Sequence, residues 1–256
     1  MEAKYKESAV IIRQEEIAQD IYSLWLKTEK IAKAAKPGQF VALYCKDGSR
    51  ILPRPISICE IDKEDDAIHL VYRVAGKGTD EFSGYHTGVQ LEISGPLGNG
   101  FPLKSKKAFL IGGGIGIPPM LELAKQLDCD KQIIVGYRNY QTFLSKELRK
   151  YGKVYIATED GSVGTKGNVL NAIEENALTA DVIYACGPTP MLRAIKAYGE
   201  EKKIETWISL EEKMACGIGA CLACVCKSKN KDHHTNVNNK RICKDGPVFL
   251  AQEVDI

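Results

Sequence analysis

Residues 110–119 read LIGGGIGIPP, a stretch that joins a short apolar run to the start of a predicted helix. A glycine turn in this context lets the backbone approach a ligand closely and directs free N–H groups at an anion. The strict G-x-G-x-x-G fingerprint fails, because Ile117 or Pro119 takes the third glycine position and no acidic residue is well placed about twenty residues further on. Two interpretations stay open: a variant dinucleotide-binding turn and a purely structural tight turn.

Strands and helices alternate on both sides of this turn, from about residue 104 to residue 207. The predicted strands are 108–111, 133–135, 154–157 and 181–186, and the predicted helices are 119–126 and 189–201. This alternation predicts a parallel sheet with crossover helices.

A second strand-to-helix turn, YACGPTPM, spans residues 184–191. Thr189 can cap the helix, and Pro190 suits its first turn. The turn would lie at the carboxyl end of a strand in the same sheet, where ligands bind in open α/β folds. It is either a second nucleotide loop or a well-capped helix start and nothing more.

The first hundred residues have a different pattern, with short β-branched and aromatic runs separated by turn residues. Such a pattern is typical of a barrel or a sandwich. Within it, LPRPISI at 52–58 offers the Arg54 fork for a pyrophosphate and the Ser57 hydroxyl for a flavin ring. Composition alone favours an edge strand with a surface arginine. His69 alternates with apolar neighbours, which predicts a place on the strand surface.

Cysteines crowd into the C-terminal part of the chain. The spacing Cys216-x4-Cys221-x2-Cys224, with Cys243 after eighteen further residues, is that of plant-type [2Fe-2S] proteins. Glycine and alanine between the first two cysteines let the loop wrap tightly, so that backbone N–H groups point at the cluster sulfurs. The spacing predicts a [2Fe-2S] centre.

Cys226 is the surplus cysteine of this region. Bonding it together with Cys224 would require a C-x-C bite outside the recognised pattern, so Cys243 is preferred as the fourth ligand. Zinc and free buried thiols are the alternatives. A zinc ribbon usually has two C-x2-C knuckles, and this sequence has one.

Composition limits the remaining possibilities. The 256 residues suffice for about two domains and a small appendage, and we predict boundaries at 1–103, 104–207 and 208–256. A net charge of +2 and a pI near 8.0 predict no nucleic-acid or membrane partner. Without an apolar run of about 20 residues or an export signal, we expect a cytoplasmic protein without a disulfide framework. The polar run 227–239, with His233 and His234, predicts a solvated loop rather than a metal site.

Three signals occur in one order along the chain: Arg-Pro-x-Ser at 54–57, the glycine turn with the Cys-Gly-Pro motif, and the C-terminal cysteines. This order resembles the ferredoxin–NADP reductase superfamily, and within it the electron-transfer subunits of class 1B dihydroorotate dehydrogenases. The resemblance covers nearly the whole chain, with its most telling stretches at 52–58, 72–74, 76–79, 95–101, 211–226 and 243–249. Ile56 stands where the wider superfamily often has a flavin-stacking tyrosine, and the loop between Cys224 and Cys243 is longer than usual.

The resemblance implies an antiparallel β-barrel that binds FAD, an α/β domain that binds NAD and a small C-terminal [2Fe-2S] domain. Motif matching assigns FAD contacts to Arg54, Pro55, Ile56, Ser57, Val71, Tyr72, Arg73, Gly78 and Thr79. NAD contacts fall on Gly114, Gly116, Cys186, Gly187 and Pro188, with Cys186 nearest the nicotinamide. The cluster ligands are Cys216, Cys221, Cys224 and Cys243.

The resemblance also implies the reaction. An FMN-containing catalytic subunit oxidises dihydroorotate to orotate in pyrimidine biosynthesis, and electrons pass through the cluster and FAD of this chain to NAD+. The implied assembly is a heterotetramer with two of each chain, and no residue of this chain acts on orotate. NADH is preferred on family grounds, although Arg138 could meet a 2′-phosphate. The alternative is a self-contained NAD(P)H-dependent flavin and iron-sulfur reductase for another acceptor protein.

Overall fold

A β-barrel, a parallel sheet with helices and a cysteine-bearing C-terminal segment follow one another along the chain. They are seen in a computed structural model that describes residues 3–229, 231 and 236–256. This architecture confirms the predicted fold class. No helix in these described ranges is long and apolar enough to cross a membrane. His233 and His234 lie outside the described residues.

The barrel is a closed antiparallel sheet, in the order β1-β2-β5-β4-β3-β6. Its strands are β1 (Tyr5–Ala18), β2 (Ile21–Lys27), β3 (Phe40–Leu43), β4 (Arg54–Asp62), β5 (Ala67–Arg73) and β6 (Gln90–Leu97), with helices α1 (Glu29–Ala34) and α2 (Lys77–Ser83) between them. Alternate residues such as Leu24, Leu70 and Tyr72 point inward and form one apolar core. The expectation of an edge strand at 52–58 was wrong, because β4 pairs with β3 on one side and with β5 on the other.

The α/β region holds six parallel strands in the order β10-β9-β8-β7-β11-β12. Its elements are β7 (Ala108–Gly113), α3 (Pro118–Gln126), β8 (Lys131–Tyr137), α4 (Ser145–Leu148), β9 (Lys153–Thr158), β10 (Thr165–Lys166), α5 (Val169–Glu175), β11 (Val182–Cys186), α6 (Thr189–Lys202) and β12 (Glu205–Ser209). β7 is buried along its whole length, as a central parallel strand should be. The chain moves outward from β7 first through β8 and later through β11, so the strand order reverses at β7. Ligands of open α/β sheets bind at such a reversal.

The C-terminal segment is built into the rest of the molecule. Its elements are β13 (Val225–Ser228), β14 (Asn239–Arg241), α7 (Ile242–Asp245), β15 (Val248–Leu250) and β16 (Val254–Asp255). β15 pairs antiparallel with β12 and extends the parallel sheet to seven strands, while β14, β13 and β16 form a small antiparallel sheet. Both ends of the polar run 227–239 therefore belong to strands, whereas the sequence predicted a loop over its whole length.

The barrel meets the α/β region where α3 packs on β4. Glu122 is 1% exposed, and its Oε2 accepts a 2.7 Å hydrogen bond from the Ile61 amide, while Lys125 Nζ donates to the Ile61 carbonyl at 3.1 Å. Cys59 and Val71 project from the barrel into the same apolar core as the side chains of α3. The interface thus joins an apolar core to a few fixed polar contacts.

His69 lies beside this interface and not on the strand surface, so that expectation was wrong. It is 5% exposed and stacks on Trp25 with ring centroids 4.6 Å apart. Its Nε2 lies 2.8 Å from Ser23 Oγ, and its Nδ1 lies 3.1 Å from Glu60 Oε2. Both ring nitrogens therefore have partners within the protein, and these contacts offset the loss of water around the buried imidazole.

Candidate cofactor sites

The four cysteines predicted as cluster ligands lie together in the structure. Cys216 and Cys221 belong to the loop before β13, Cys224 ends that loop, and Cys243 sits on α7. The Cys243 amide donates to Cys224 Sγ at 3.4 Å, and the Cys216 amide donates to Cys221 Sγ at 3.5 Å. The charge of Cys216 also acts on the Cys243 thiol. One short loop and one helical turn thus bring the four cysteines together as two hydrogen-bonded pairs, Cys216 with Cys221 and Cys224 with Cys243.

Backbone N–H groups surround the sulfur of Cys216. The amides of Ile218, Ala220 and Cys221 donate to its Sγ at 3.5, 3.3 and 3.4 Å. The loop takes this path because Gly217 and Gly219 have φ of 67° and 85°, in the left-handed region that favours glycine. The predicted wrapping of the loop is present, and it supplies the N–H···S contacts that tune iron-sulfur centres.

The two halves of this sulfur group differ electrostatically. Burial opposes ionisation of Cys216, but the N–H donors outweigh it and lower the pKa of this thiol to about 6. Burial, reinforced by the neighbouring Cys224, raises the pKa of Cys243 to about 12. A bound cation would hold these thiols as thiolates.

Cys226, the surplus cysteine, packs against an apolar cluster that also contains Cys224 and Cys243. It lies on β13 opposite Lys240. Burial raises its pKa to about 11. No hydrogen bond between described residues joins its sulfur to Cys216, Cys221 or Cys243, whereas the Cys243 amide donates to Cys224 Sγ. The choice of Cys243 as the fourth ligand stays a prediction.

The two predicted nucleotide turns meet at the reversal of the parallel sheet. β7 and β11 are neighbours, and Cys186 pairs with Gly112. A Cβ on Gly116 would lie 2.4 Å from the Cys186 carbonyl oxygen, so the turns touch through their backbones. Gly114 has φ of 53° and nothing within 4 Å of its missing side chain. The two turns thus lie side by side, with open space at Gly114, and the assignment of Gly114, Gly116, Cys186, Gly187 and Pro188 to NAD stays a prediction.

Cys186 lies beside a residue that sequence analysis missed. Ser209 ends β12 and is paired with Cys186 across the two parallel strands. Burial raises the pKa of Cys186 to about 12, with the neighbouring Ser209 acting in the opposite direction. Burial thus favours the neutral thiol. The signal for Ser209 was its place at the carboxyl end of the next strand.

Two of the flavin candidates, Arg54 and Gly78, lie against each other. Arg54, at the start of β4, lies against Gly78 in α2, where a Cβ would be 2.1 Å from Arg54 Nε. Its guanidinium donates to the Leu52 carbonyl. Thr79 Oγ1 accepts from the amides of Ala75 and Gly76 and fixes the turn before α2. A guanidinium and a glycine-lined turn are suited to a pyrophosphate.

The remaining predicted flavin residues differ in what they expose. Pro55, Ile56 and Ser57 are partly exposed on β4, and Arg73 is exposed. Val71 and Tyr72 are 2% and 1% exposed, with Tyr72 inside the barrel. A flavin could reach these two only through their main chain, while the others present side chains. Their assignment to FAD stays a prediction.

Comparison with known proteins agrees with this layout. Residues 211–255 match the family described as the iron-sulfur cluster binding domain of dihydroorotate dehydrogenase B, and residues 110–197 match the oxidoreductase NAD-binding domain. A dihydroorotate dehydrogenase B (NAD(+)) electron transfer subunit from Fusobacterium nucleatum is 43% identical over 264 residues, which covers 98% of each chain. The subunit of the same name from Listeria innocua is 45% identical over 255 residues, covering 96% of this chain and 97% of the relative.

A solved structure extends the likeness to three dimensions. The NADH-dependent reduced ferredoxin-NADP oxidoreductase, described for flavin-based electron bifurcation, has a TM-score of 0.87 with 28% identity, over 96% of this chain and 89% of that one. Identity of this level and coverage with the curated subunits shows the family. The chain belongs to the family of electron transfer subunits of NAD-dependent dihydroorotate dehydrogenase B.

Proposed function

We propose that this chain carries electrons from an FMN-containing catalytic subunit, where dihydroorotate becomes orotate, through [2Fe-2S] and FAD to NAD+. The observation that carries this proposal is the pairing of Cys216 with Cys221 and of Cys224 with Cys243, on the same chain as two glycine turns that meet at the reversal of the parallel sheet. Its cofactors are therefore FAD, a [2Fe-2S] cluster and NAD. FAD, when bound, exchanges a hydride with nicotinamide and single electrons with the cluster.

The residues of the chain bind and orient these groups. The four cysteines would hold the cluster, and the amides around Cys216 would stabilise its negative charge. Arg54, Gly78 and Thr79 would receive the FAD pyrophosphate, and Ser57 would face the flavin ring. Gly114, Gly116, Gly187 and Pro188 would receive NAD, with Cys186 beside the nicotinamide as a neutral thiol. Arg138, the possible contact to a 2′-phosphate, is exposed after β8. We still propose NADH, rather than NADPH, as the preferred nucleotide.

The loop that carries the cysteines is suited to a protein partner. Cys221 is exposed, and the large apolar side chains of Ile218 and Leu222 around it are 54% and 60% exposed. Exposed apolar side chains grouped around a redox centre favour docking of another protein there. We propose that this loop docks on the catalytic subunit, in a cytoplasmic assembly with two of each chain. We also propose three domains, at residues 1–103, 104–207 and 208–256.

Separating and recombining the two subunits tests this function. The chain alone should oxidise NADH with a dye acceptor and leave dihydroorotate unchanged, because its sites are those of FAD, NAD and the cluster. Adding the FMN-bearing subunit should give dihydroorotate-dependent reduction of NAD+. Ile218→Lys should abolish that coupled activity while NADH–dye activity persists, and Ile12→Lys, at an exposed residue of the barrel, is the matched control.

The opposite results are equally informative. Turnover of dihydroorotate by the chain alone would overturn the proposed division of labour. NADH–dye activity without any coupling to the FMN subunit would favour the alternative, a self-contained reductase for another acceptor.

A further inference from the structure

The barrel and the cluster-bearing segment meet at a small hydrogen-bonded contact, beside the apolar cluster that Phe40 and Leu97 share with Cys224 and Cys243. The Asn99 amide donates to the Gly246 carbonyl at 2.6 Å, and Asn99 Nδ2 donates to the Asp245 carbonyl at 2.8 Å. Asn99 also forms a parallel β-bridge with Pro247. We call Gly98–Asn99 and residues 245–247 the clasp. It lies two residues beyond Cys243, so it fixes the chain next to a proposed cluster ligand.

The clasp leaves no space for a side chain at residue 98. Gly98 has φ of 72°, and a Cβ there would lie 2.4 Å from Pro247 Cδ and 2.8 Å from the Gly246 carbonyl oxygen. Gly246 and Pro247 both belong to the cluster-bearing segment, so any larger residue at position 98 would push that segment away from the barrel. Close approach of two backbones is a recognised reason for glycine.

On the barrel side, the clasp is tied to the proposed flavin strand. Gln39 is 1% exposed, and its Nε2 donates to the Gly98 carbonyl at 2.8 Å. The Gln39 carbonyl in turn accepts from the Ile58 amide at 3.0 Å, one residue after Ser57. Phe40 pairs with Ser57 on one side and with Leu97 on the other. Two short steps therefore join Gly98 to β4.

On the cluster side, Asp245 ties the clasp to the cysteine loop. Its carboxylate accepts from Arg241 Nε at 3.0 Å and Nη2 at 3.2 Å, a bidentate pair. Arg241 Nη1 donates to the Gly219 carbonyl at 3.4 Å, between Cys216 and Cys221. The loop and α7 are thus held as one body, and the clasp fixes where that body sits on the barrel.

We propose that Gly98 and Asn99 are positioning residues that set the distance between the cluster and the flavin. They act through the backbone of residues 245–247 on one side and through Gln39 on the other. Electron transfer between two centres depends on their separation, so a wedge at the clasp should slow it without changing a ligand. This inference rests on the proposed cofactor sites, in particular on Ser57 for FAD and Cys243 for the cluster.

The test uses the full chain loaded with its FAD and cluster. Gly98→Ala introduces the wedge, and Gly88→Ala is the matched control, because Gly88 has φ of 89° on the same barrel but nothing within 4 Å of its missing side chain. Both changes carry similar backbone strain. Asn99→Ala removes only the side-chain hydrogen bond, and Asn176→Ala, which loses a 3.0 Å bond from its side chain to the Ala172 carbonyl within α5, is its control.

The readouts are FAD and iron content, the EPR coupling between the reduced cluster and the one-electron-reduced flavin, and the rate at which NADH bleaches the cluster. We expect Gly98→Ala to keep both cofactors, weaken the coupling and slow the bleaching, with a smaller loss for Asn99→Ala and none for the controls. If Gly98→Ala does not fold, the coupling in Asn99→Ala decides.

Coupling and rate equal to wild type in both clasp variants would overturn the inference, as would an equal loss in Gly88→Ala. Failure of the proposed function looks different, since the wild-type chain itself would then lack iron or FAD.

Discussion

The cluster region of this chain is built mainly from residues that are close in sequence, whereas the flavin region is built from residues that are far apart in sequence. Three of the four proposed ligands, with the amides that solvate Cys216, come from residues 216–224. The flavin region joins Arg54 to Gly78, and the nucleotide region joins Gly116 to Cys186, across long stretches of chain. Ligands that are close in sequence have a fixed spacing that can be recognised in the sequence. Residues that meet only after folding have no such spacing.

The cluster region also depends on the rest of the fold, through its fourth ligand. Cys243 is fully buried, on a helical turn held by the Arg241–Asp245 pair and by the clasp to Asn99. Cys226 is far closer to the other ligands in sequence, and it packs against the same apolar cluster that contains Cys224 and Cys243. In the proposed ligand set, the local loop supplies three ligands and tertiary structure brings in the fourth.

Replacing the fourth ligand should give the largest effect. Cys243→Ala should abolish or strongly destabilise the cluster, because one thiolate is lost from the group. Cys226→Ala is the matched control and should keep the [2Fe-2S] absorption and EPR spectra, with two irons per cluster. Iron and acid-labile sulfide analysis of both variants measures the difference. Loss of the cluster in Cys226→Ala with retention in Cys243→Ala would reverse the ligand assignment.

Much of the fold was predictable from the sequence for the same reason that the cysteine loop was. The change from short β runs to alternating strands and helices, and both glycine turns, are local patterns, and each lies where it was predicted. Closure of the barrel by β1 and β6, the addition of β15 to the parallel sheet and the burial of His69 are not local patterns. They depend on partners far along the chain, as with Ser23 for His69.

Two glycines, Gly76 just before α2 and Gly78 within it, allow a test of the long-range contact in the flavin region. In Gly78→Ala, the new Cβ would lie 2.1 Å from the present position of Arg54 Nε, so the flexible guanidinium must move. Alanine is also the better helix former by roughly 1 kcal/mol, so the variant should fold at least as well as the wild type. We expect weaker retention of FAD without a loss of stability.

The control is Gly76→Ala, where nothing lies within 4 Å of the added methyl group. FAD occupancy after dialysis and the thermal midpoint of the FAD-free chain are the measurements. Loss of FAD in Arg54→Ala should be at least as large as in Gly78→Ala, because the variant lacks the charge-assisted contact altogether. Unchanged occupancy in both Arg54→Ala and Gly78→Ala would remove Arg54 from the site and leave the flavin region without its anchor.

The smallest effect concerns the buried carboxylate between the barrel and α3, a contact of the long-range kind. Burial raises the pKa of Glu122, and the hydrogen bonds from Gln126 and from the Ile61 amide offset only part of that. Between the ordinary pKa of 4.5 and the raised one, the folded chain holds more protons at Glu122 than the unfolded chain. The contribution of Glu122 to the free energy of unfolding therefore falls as pH rises through this window and is level above it.

Glu122→Gln should remove this dependence and keep an acceptor for the Ile61 amide. The free energy of unfolding of the wild type, measured relative to the variant by urea titration, should fall between pH 4 and neutrality, in the direction set by the raised pKa. Glu15→Gln, which changes an exposed carboxylate paired with Arg13, is the control for a change of net charge. A difference between wild type and Glu122→Gln that rises with pH would mean that the hydrogen bonds from Ile61 and Gln126 outweigh burial. The barrel and α3 would then be joined by a stabilising carboxylate, and this long-range contact would resemble the N–H-rich environment of Cys216 instead of contrasting with it.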